Sequence, residues 1–314
     1  MPPEPANQPT IERILALHKL EAFRGLGTED LTTLAGIARE RFFPAGSVML
    51  RGESPRYIYT LLDGGVRVER RGQVVGRIAA GRGVGLLSLL ARDPTGVDAI
   101  AETDVLALES DADAVLEVFE DHFTILSRVL QQMAGLALDL LQEMSDFDLL
   151  RTLKRADADA LPREPDLVER ILILRRASPF VHGSVSALAE LSQQLTHVTY
   201  PPGVRLWEIG EPAGSVLITL AGSGDGTLAD GRRFEVGPGL PLGAMESLAE
   251  RPRWYSVTTR TRLDALHGSV EALSDVFEDN PDMAFDYLAV ICRTIVRVAD
   301  RRSQVPGTAA EPVS

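Results

Sequence analysis

The sequence predicts an α+β chain, mainly β, built as two jelly-roll β-barrel domains, each flanked by N-terminal helices and a long C-terminal helix. Three observations carry this prediction. The two halves repeat each other: Ile11-Glu12-Arg13-Ile14-Leu15 returns as Val168-Glu169-Arg170-Ile171-Leu172, and Val118-Phe119-Glu120-Asp121 as Val276-Phe277-Glu278-Asp279. Short β-rich runs punctuated by Gly, Pro and Asp fill the middle of each half. An apolar stripe of helical period closes it.

The register of the duplication can be followed residue by residue. From Ile11 to Gly46 the partner lies 157 positions on, pairing Phe23 with Phe180, Pro44 with Pro201 and Gly46 with Gly203. From Gly52 the offset is 158, pairing Gly52-Glu53 with Gly210-Glu211, Gly64 with Gly222, Gly85 with Gly243 and Pro94 with Pro252. One residue is therefore inserted between Gly203 and Gly210. A solenoid would need several copies of about 20–50 residues, whereas these two copies each have the size of a domain. The expected division is a tail at 1–10, domain A at 11–150, a linker at 151–166, domain B at 167–302 and a tail at 303–314. In the linker, Arg155-Ala156-Asp157-Ala158-Asp159, Pro162 and Pro165 replace periodicity with charge and proline.

Within each half the elements come in one order. A short amphipathic helix (Ile11 to Phe23; Val168 to Pro179) leads to a second (Thr28 to Arg41; Val185 to Leu195). Strands are expected at Val48–Leu50, Tyr57–Leu62, Val66–Val68 and Val74–Ile78, with counterparts between Val204 and Val236. Many short strands at this spacing build a sandwich or jelly roll. Asp111 to Phe119 reads as a short helix. Beyond it Phe123, Leu126, Leu130, Met133, Ala137, Leu140 and Met144 recur three or four apart, a seam of about three heptads. Leu288, Ile291, Ile295 and Val298 echo it in the second copy. Such a stripe either lies on its own barrel or makes a homodimer contact along Phe123 to Met144.

Composition narrows the class of function. A 314-residue chain with 45% hydrophobic and 25% charged residues can bury two ordinary cores. Its net charge is −13, and of 32 basic residues only Lys19 and Lys154 are lysines. Because neutralising phosphates dominates nucleic-acid affinity, no nucleic-acid partner is expected. Cys292 has no second cysteine to bond with and sits in an apolar helical run, as a small core residue does. Met1 to Pro9 lacks the apolar core of a signal peptide, and no run approaches the roughly 18 residues of a membrane span. The reading is a soluble, cytoplasmic protein with no membrane partner.

Several motifs resolve into structure. Arg175-Arg176-Ala177-Ser178 has the form of a basophilic kinase site, yet it ends a helix of the repeat. His18, His122, His182, His197 and His267 are scattered, so no metal site is expected, and the clustered histidines of a jelly-roll metal enzyme are missing. Gly222-Ser223-Gly224-Asp225-Gly226 falls at a strand-to-strand turn rather than before a helix. Asp230-Gly231 is hairpin chemistry. No catalytic residue is assigned.

Phe43-Pro44-Ala45-Gly46, Arg51-Gly52-Glu53, Tyr59-Thr60-Leu61-Leu62-Asp63-Gly64, and Gly85 with Leu89-Leu90 and Pro94 together resemble the cyclic-nucleotide-binding domain of catabolite-activator regulators, kinase regulatory subunits and gated channels. The second copy is similar through Tyr200-Pro201-Pro202-Gly203, Ile209-Gly210-Glu211-Pro212, Gly222, Gly243 and Arg251-Pro252-Arg253. The resemblance implies a phosphate-binding cassette: Gly-Glu opening a short helix, then Pro-Arg-Ala-Ala-Thr/Ser. In such a cassette glycine admits the backbone, helix-terminal amides and the arginine meet the cyclic phosphate, and the glutamate accepts a ribose hydroxyl.

Both copies depart from that pattern. Domain A has Gly85-Leu86 in place of Gly-Glu and Pro94-Thr95-Gly96-Val97-Asp98 in place of the arginine segment, so both polar readers are gone and a carboxylate stands where a small hydroxyl belongs. Domain A is expected to be ligand-incompetent. Domain B has Gly243-Ala244, then Pro252-Arg253-Trp254-Tyr255-Ser256, keeping the arginine and the hydroxyl but adding two large rings. Its candidate ligand-binding residues are Gly243, Ala244, Arg253, Trp254 and Ser256, for a cyclic nucleotide or another phosphorylated or anionic small molecule. Glu246 lies two positions past the lost glutamate, on a different helix face. The competing role for Arg253 is a surface ion pair with Glu246 or Glu250. No helix-turn-helix is expected after either copy, and no cofactor is required. The resemblance implies a non-enzymatic regulatory or scaffold protein acting through a protein partner, with a divergent cyclic-AMP or cyclic-GMP sensor as the alternative.

Overall fold

The structure, a computed structural model, describes residues 11–19, 23, 25–52, 55–92, 96–143, 164–176 and 180–304. In the first copy α1 (Ile11–Lys19) and α2 (Thr28–Ile37) precede β1 (Ala38–Phe43), β2 (Val48–Leu50), β3 (Tyr57–Asp63), β4 (Gly65–Arg70), β5 (Gln73–Ala79) and β6 (Gly83–Val84). Then come α3 (Leu86–Ala91), β7 (Asp98–Ala101), β8 (Val105–Asp111), α4 (Ala112–Asp121) and the long α5 (Phe123–Gln142). The second copy repeats the order: α6 (Leu167–Arg176), α7 (Val185–Gln194), β9 (Thr196–Tyr200), β10 (Arg205–Trp207), β11 (Ser215–Ala221), β12 (Gly224–Leu228), β13 (Arg233–Val236) and β14 (Pro241–Leu242). It ends with α8 (Ala244–Leu248), β15 (Tyr255–Thr259), β16 (Leu263–Ser269), α9 (Val270–Asp279) and α10 (Pro281–Gln304).

Each copy folds its strands into two antiparallel sheets of four. The orders are β1-β8-β3-β6 and β2-β7-β4-β5 in the first, and β9-β16-β11-β14 and β10-β15-β12-β13 in the second. Strand for strand the two barrels have one topology, the jelly roll that the sequence predicts. Even the irregularities repeat. The ladder shifts between Val48 and Leu50 and between Leu61 and Asp63, and again between Arg205 and Trp207 and between Thr219 and Ala221. A bulge re-aims the strand that carries it, so these four shifts preserve barrel curvature in both copies.

The side chains inside each barrel differ. Phe43, Met49, Leu50, Tyr59, Leu61 and Val66 lead a largely aliphatic interior in the first. In the second, Trp207, Tyr255, Leu217, Leu240 and Val257 form the interior, with Phe234 and Trp254 packed against it.

Helix ends are fixed by local chemistry. Asp111, Ser184 and Ser269 cap α4, α7 and α9, accepting from the backbone N–H of Asp113, Ala187 and Ala272. Asp166 and Glu169 form a reciprocal capping box on α6, with bonds of 2.8 and 2.9 Å. At the other end of the second helix an arginine from the first serves in both copies. Arg13 donates to Ala35 O at 3.1 Å and to Ala38 O, and Arg170 to Ser192 O at 3.4 Å and Leu195 O at 2.7 Å. These carbonyls have no helical partner, which explains an arginine at the centre of the repeated motif.

By spatial proximity the chain forms two compact units. One runs to Val129 and resumes at Ile291; the other is Leu130–Val290. Within the first unit Arg70 on β4 pairs with Asp300 on α10 at 3.1 Å. Within the second, Arg251 pairs with Asp139 on α5 through both carboxylate oxygens.

Several expectations are corrected. The second helix of the first copy stops at Ile37, not Arg41, because Ala38–Phe43 pairs with β8 along its length. Residues 98–101 and 105–111 are strands that the apolar-run reading passes over, and the helix expected from Asp111 starts after that residue, which caps it. The glycine-rich stretch at Gly222 is only partly a turn, since Gly224–Leu228 is β12. The inserted residue, expected between Gly203 and Gly210, lies within that interval at Glu208-Ile209, because β10 still keeps the 157 offset to β2. Helix α10 runs on to Gln304, past the expected end at 302. Of the expected seam, Leu126, Leu130, Ala137 and Leu140 are buried within the single chain. Met144, residues 1–10, 151–163 and 305–314, and the Ala177-Ser178 part of the kinase-like motif lie outside the described residues.

Candidate functional site

In each copy the cassette begins at a glycine with left-handed backbone. Gly85 (φ 96°) precedes α3 and Gly243 (φ 83°) precedes α8; left-handed Arg92 caps the end of α3, and left-handed Glu250 follows the Ala249 cap of α8. A side chain at Gly243 would meet both strain and substance, since its Cβ would lie 2.6 Å from Ser215 O.

In the first copy the site is apolar. At Gly85 the neighbouring atoms are Leu50 Cδ1, Ile58 Cδ1 and Tyr57 O, between 3.1 and 3.3 Å from where a Cβ would stand. Leu86 opens α3, while Thr95 lies outside the described residues. Asp98 at the start of β7 accepts the Gly52 N–H at 2.7 Å. The carboxylate is thus an internal acceptor, tying the turn after β2 to β7. Elsewhere in this barrel Glu109 is buried and held by Arg39 and Arg41. Burial, reinforced by the Glu109 charge, pushes the Tyr59 phenol up to about 12.

In the second copy the retained arginine is fully engaged. The expected surface ion pair is corrected: Arg253 is 3% exposed and its partner Glu246 is 2% exposed, 3.2 Å apart. Glu246 stands on the inner side of α8, because a helix of little more than one turn placed against β11 buries the residue two positions on. Arg253 Nη1 donates to Gly243 O and to Glu246 Oε1, both at 3.2 Å. Its Nη2 donates to Ser215 O and Ser215 Oγ, both at 2.9 Å. The guanidinium lies 4.2 Å from the centre of the Trp207 ring, a cation–π contact strengthened by burial. Its backbone is paired as well, with Arg253 N donating to Glu211 O and Gly210 N donating to Arg253 O, both at 2.8 Å.

The helix-opening amide is engaged too. Tyr255 Oη accepts the Gly243 N–H at 2.9 Å. The Tyr255 ring is set edge-on to Trp207, Phe234 and Trp254, with centroids 5.2–5.8 Å apart. Phe234 in turn lies on Gly226, where a Cβ would come within 2.1 Å of the ring. Burial, followed by the Glu246 charge, pushes the Tyr255 phenol well above its ordinary 10, so it stays a neutral hydroxyl. Burial also raises the Glu246 carboxyl above its ordinary 4.5, outweighing the pull of Arg253.

Of the sequence-predicted residues, the fold brings Gly243 and Arg253 into direct contact. Ser256 faces elsewhere, its Oγ accepting the Ile209 N–H at 3.1 Å. Ala244 opens α8, and Trp254 is half-buried beside Tyr255. Sequence reasoning missed Ser215, Trp207 and the phenol of Tyr255. Trp207 and Ser215 come from strands far along the chain from the cassette, and only the jelly-roll pairing brings them to it. Chemically the site is a neutral, internally hydrogen-bonded cluster. Among the described residues no three His, Cys, Asp or Glu side chains group to hold a metal. Cys292 is buried, which pushes its thiol up to about 12. No described helix is long and apolar enough to cross a membrane.

Comparison with known proteins agrees with this architecture. The cyclic nucleotide-binding domain family matches residues 40–122. A CRP-like cAMP-activated global transcriptional regulator of Mycobacterium tuberculosis is 31% identical over 153 residues, 44% of this chain and 66% of that protein. The chain therefore spans just under two thirds of the length of that curated relative. Among solved structures, the regulatory subunit of a cAMP-independent protein kinase A from Trypanosoma brucei aligns over 95% of this chain and 91% of its own, at 18% identity and a TM-score of 0.34. The N-terminal domain of a transcriptional regulator from Streptomyces coelicolor A3(2) aligns over 43% of this chain and 98% of its own, at 25% identity and a TM-score of 0.38. The segment that runs from β1 to the end of α4 thus matches the cyclic nucleotide-binding domain family, and the second barrel has the same strand order as the first.

Proposed function

We propose that this chain is a non-enzymatic regulatory or scaffold module of the cytoplasm, in which neither cassette takes a cyclic nucleotide and the output passes through a protein partner. One observation carries the reading. The two donors of the cassette in domain B that the pattern retains are committed inside the protein: Arg253 to Glu246, Ser215 and Gly243 O, and the Gly243 N–H to Tyr255. A ligand would have to break a desolvated ion pair and expel a packed ring before gaining its first bond. In domain A, Leu86 and the committed Asp98 support the same conclusion. The Arg251 pair with Asp139 ties the segment leading into Arg253 to the long helix α5, which makes that helix the natural carrier of any output.

A second reading is favoured by one detail. The buried Trp207 Nε1–H has no hydrogen-bond partner among the described residues, and it lies beside Arg253. An anionic or phosphorylated small molecule that displaced Glu246 would find both groups. Titration calorimetry with cyclic AMP, cyclic GMP and cyclic dinucleotides separates the two. The first reading expects no saturable heat from the wild type, whereas saturable heat that disappears in Arg253→Ala establishes the second.

A further inference from the structure

The first barrel carries a charged cluster, outside its cassette, that the second barrel lacks. Arg39 and Arg41 on β1, Glu109 on β8 and Tyr59 on β3 share the strand face that buries Phe43 and Ala107, and Arg39, Glu109 and Tyr59 are direct cross-strand neighbours. Glu109 is 1% exposed beneath two guanidinium groups whose side chains are 59% and 47% exposed. Its Oε1 accepts from Arg39 Nε at 2.7 Å, and both of its oxygens accept from Arg41 Nη1, at 3.2 and 2.9 Å. Arg41 Nε and Nη2 stay uncommitted among the described residues. A third cation joins at the start of β3. The Tyr57 ring lies 5.7 Å from the Arg39 guanidinium and 5.4 Å from that of Arg56, which has no carboxylate partner among the described residues.

Three guanidinium groups around one carboxylate leave two positive charges in excess, on a chain whose net charge is −13. Nearby carboxylates do not cancel them: Glu40 alternates to the other face of β1, and Asp111 is engaged in capping α4. The fold does not call for the cluster. In the second barrel the matching row is Thr196, His267 and Leu217, with Gly214 in place of Arg56, and that barrel closes in the same strand order. Ion pairs with so exposed an arm add little stability, whereas a buried carboxylate that fixes two arginines side by side prepares them for a doubly charged partner. A phosphate monoester carries nearly two negative charges at neutral pH; a carboxylate or a cyclic phosphate diester carries one. The cluster also stands where both helices leave the barrel, since α2 ends two residues before Arg39 and Ala112 N, opening α4, donates to Arg56 O at 2.9 Å.

We infer that Arg39, Arg41 and Arg56 form a binding site for a phosphate dianion at the helical end of the first barrel. This goes beyond the cassette reading, which stands or falls on cyclic nucleotides. Calorimetric titration of the full chain with inorganic phosphate, phenyl phosphate and acetate at low ionic strength tests it. Both phosphates should give saturable heat and acetate none, and tighter binding of phenyl phosphate would mark an ester rather than the free ion as the ligand. Arg56→Gln, which breaks no ion pair, and Arg39→Gln, which leaves Glu109 held by Arg41, should each raise the dissociation constant for phosphate about tenfold. Arg205→Gln, an exposed arginine of the second copy, should leave it unchanged. Absence of saturable heat with either phosphate would overturn the inference. So would phosphate binding that Arg56→Gln and Arg39→Gln leave unmoved, or that Arg205→Gln weakens equally.

Discussion

Arg253 shows how differently a residue can read in sequence and in structure. From its neighbours in sequence it resembles a phosphate reader, and its environment makes it one arm of a buried ion pair beneath an aromatic cluster. Removing one partner of such a pair strands the other in a dry site. Arg253→Ala should therefore cost about 3–5 kcal/mol in urea unfolding, far beyond the 0–1 kcal/mol of a surface pair. The pH dependence has a definite sign. Burial raises the folded-state carboxyl of Glu246 above its ordinary 4.5, so the folded protein binds this proton more tightly than the unfolded chain does. The resulting stability is complete below 4.5 and falls away as pH rises through the folded value. Relative to Glu246→Gln, the wild type should lose stability from pH 4 to pH 7, and a difference that grows in favour of the wild type over that range would refute the assignment. That Gly243 and Arg253 come together was legible at this scale, but the occupants of their donors were not. Ser215 and Trp207 reach the site through strand pairing, and no local pattern announces that.

At the scale of elements the duplication is the better guide, because it records which turns the barrel requires. Gly64 and Gly222 both take φ of 91°, and a Cβ there would lie 2.3 Å from Asp104 O and 2.0 Å from Arg262 O respectively. Backbone strain and a clash with main chain act together, so Gly64→Ala and Gly222→Ala should each destabilise by about 3 kcal/mol in thermal or denaturant unfolding. For the long helix, whose stripe left packing within the chain and a homodimer contact both open, burial of Leu130 gives a prediction. Leu130 is 2% exposed, so Leu130→Asp buries a charge and should cost about 3 kcal/mol or more of stability. A variant as stable as the wild type would mean that the stripe faces outward after all. Strands β2 to β5 were legible because their apolar runs are bounded by glycines. Strands β1 and β8 were not, since Ala38-Arg39-Glu40-Arg41-Phe42-Phe43 carries charge on both faces and continues a helical pattern. It pairs as a strand because β8 offers a partner along its whole length, a tertiary contact that overrides local preference.

At the scale of the molecule, two barrels of one topology hold two differently altered cassettes. The first has an aliphatic wall and a carboxylate working as a turn acceptor, and the second has an arginine satisfied from within. A ligand shifts an equilibrium only through differential affinity, and on the proposed reading a site that answers its own donors offers a cyclic nucleotide none. The central claim is this internal satisfaction of domain B. Calorimetric titration of cyclic AMP into the wild type and into Ala244→Glu/Glu246→Ala/Trp254→Ala/Tyr255→Ala, which restores the ribose acceptor, releases Arg253 from its carboxylate and removes both rings, tests it, with circular dichroism to verify the fold. The expected result is no saturable heat from the wild type and one binding event per folded variant chain. A wild type that binds cyclic AMP stoichiometrically through Arg253 would contradict it.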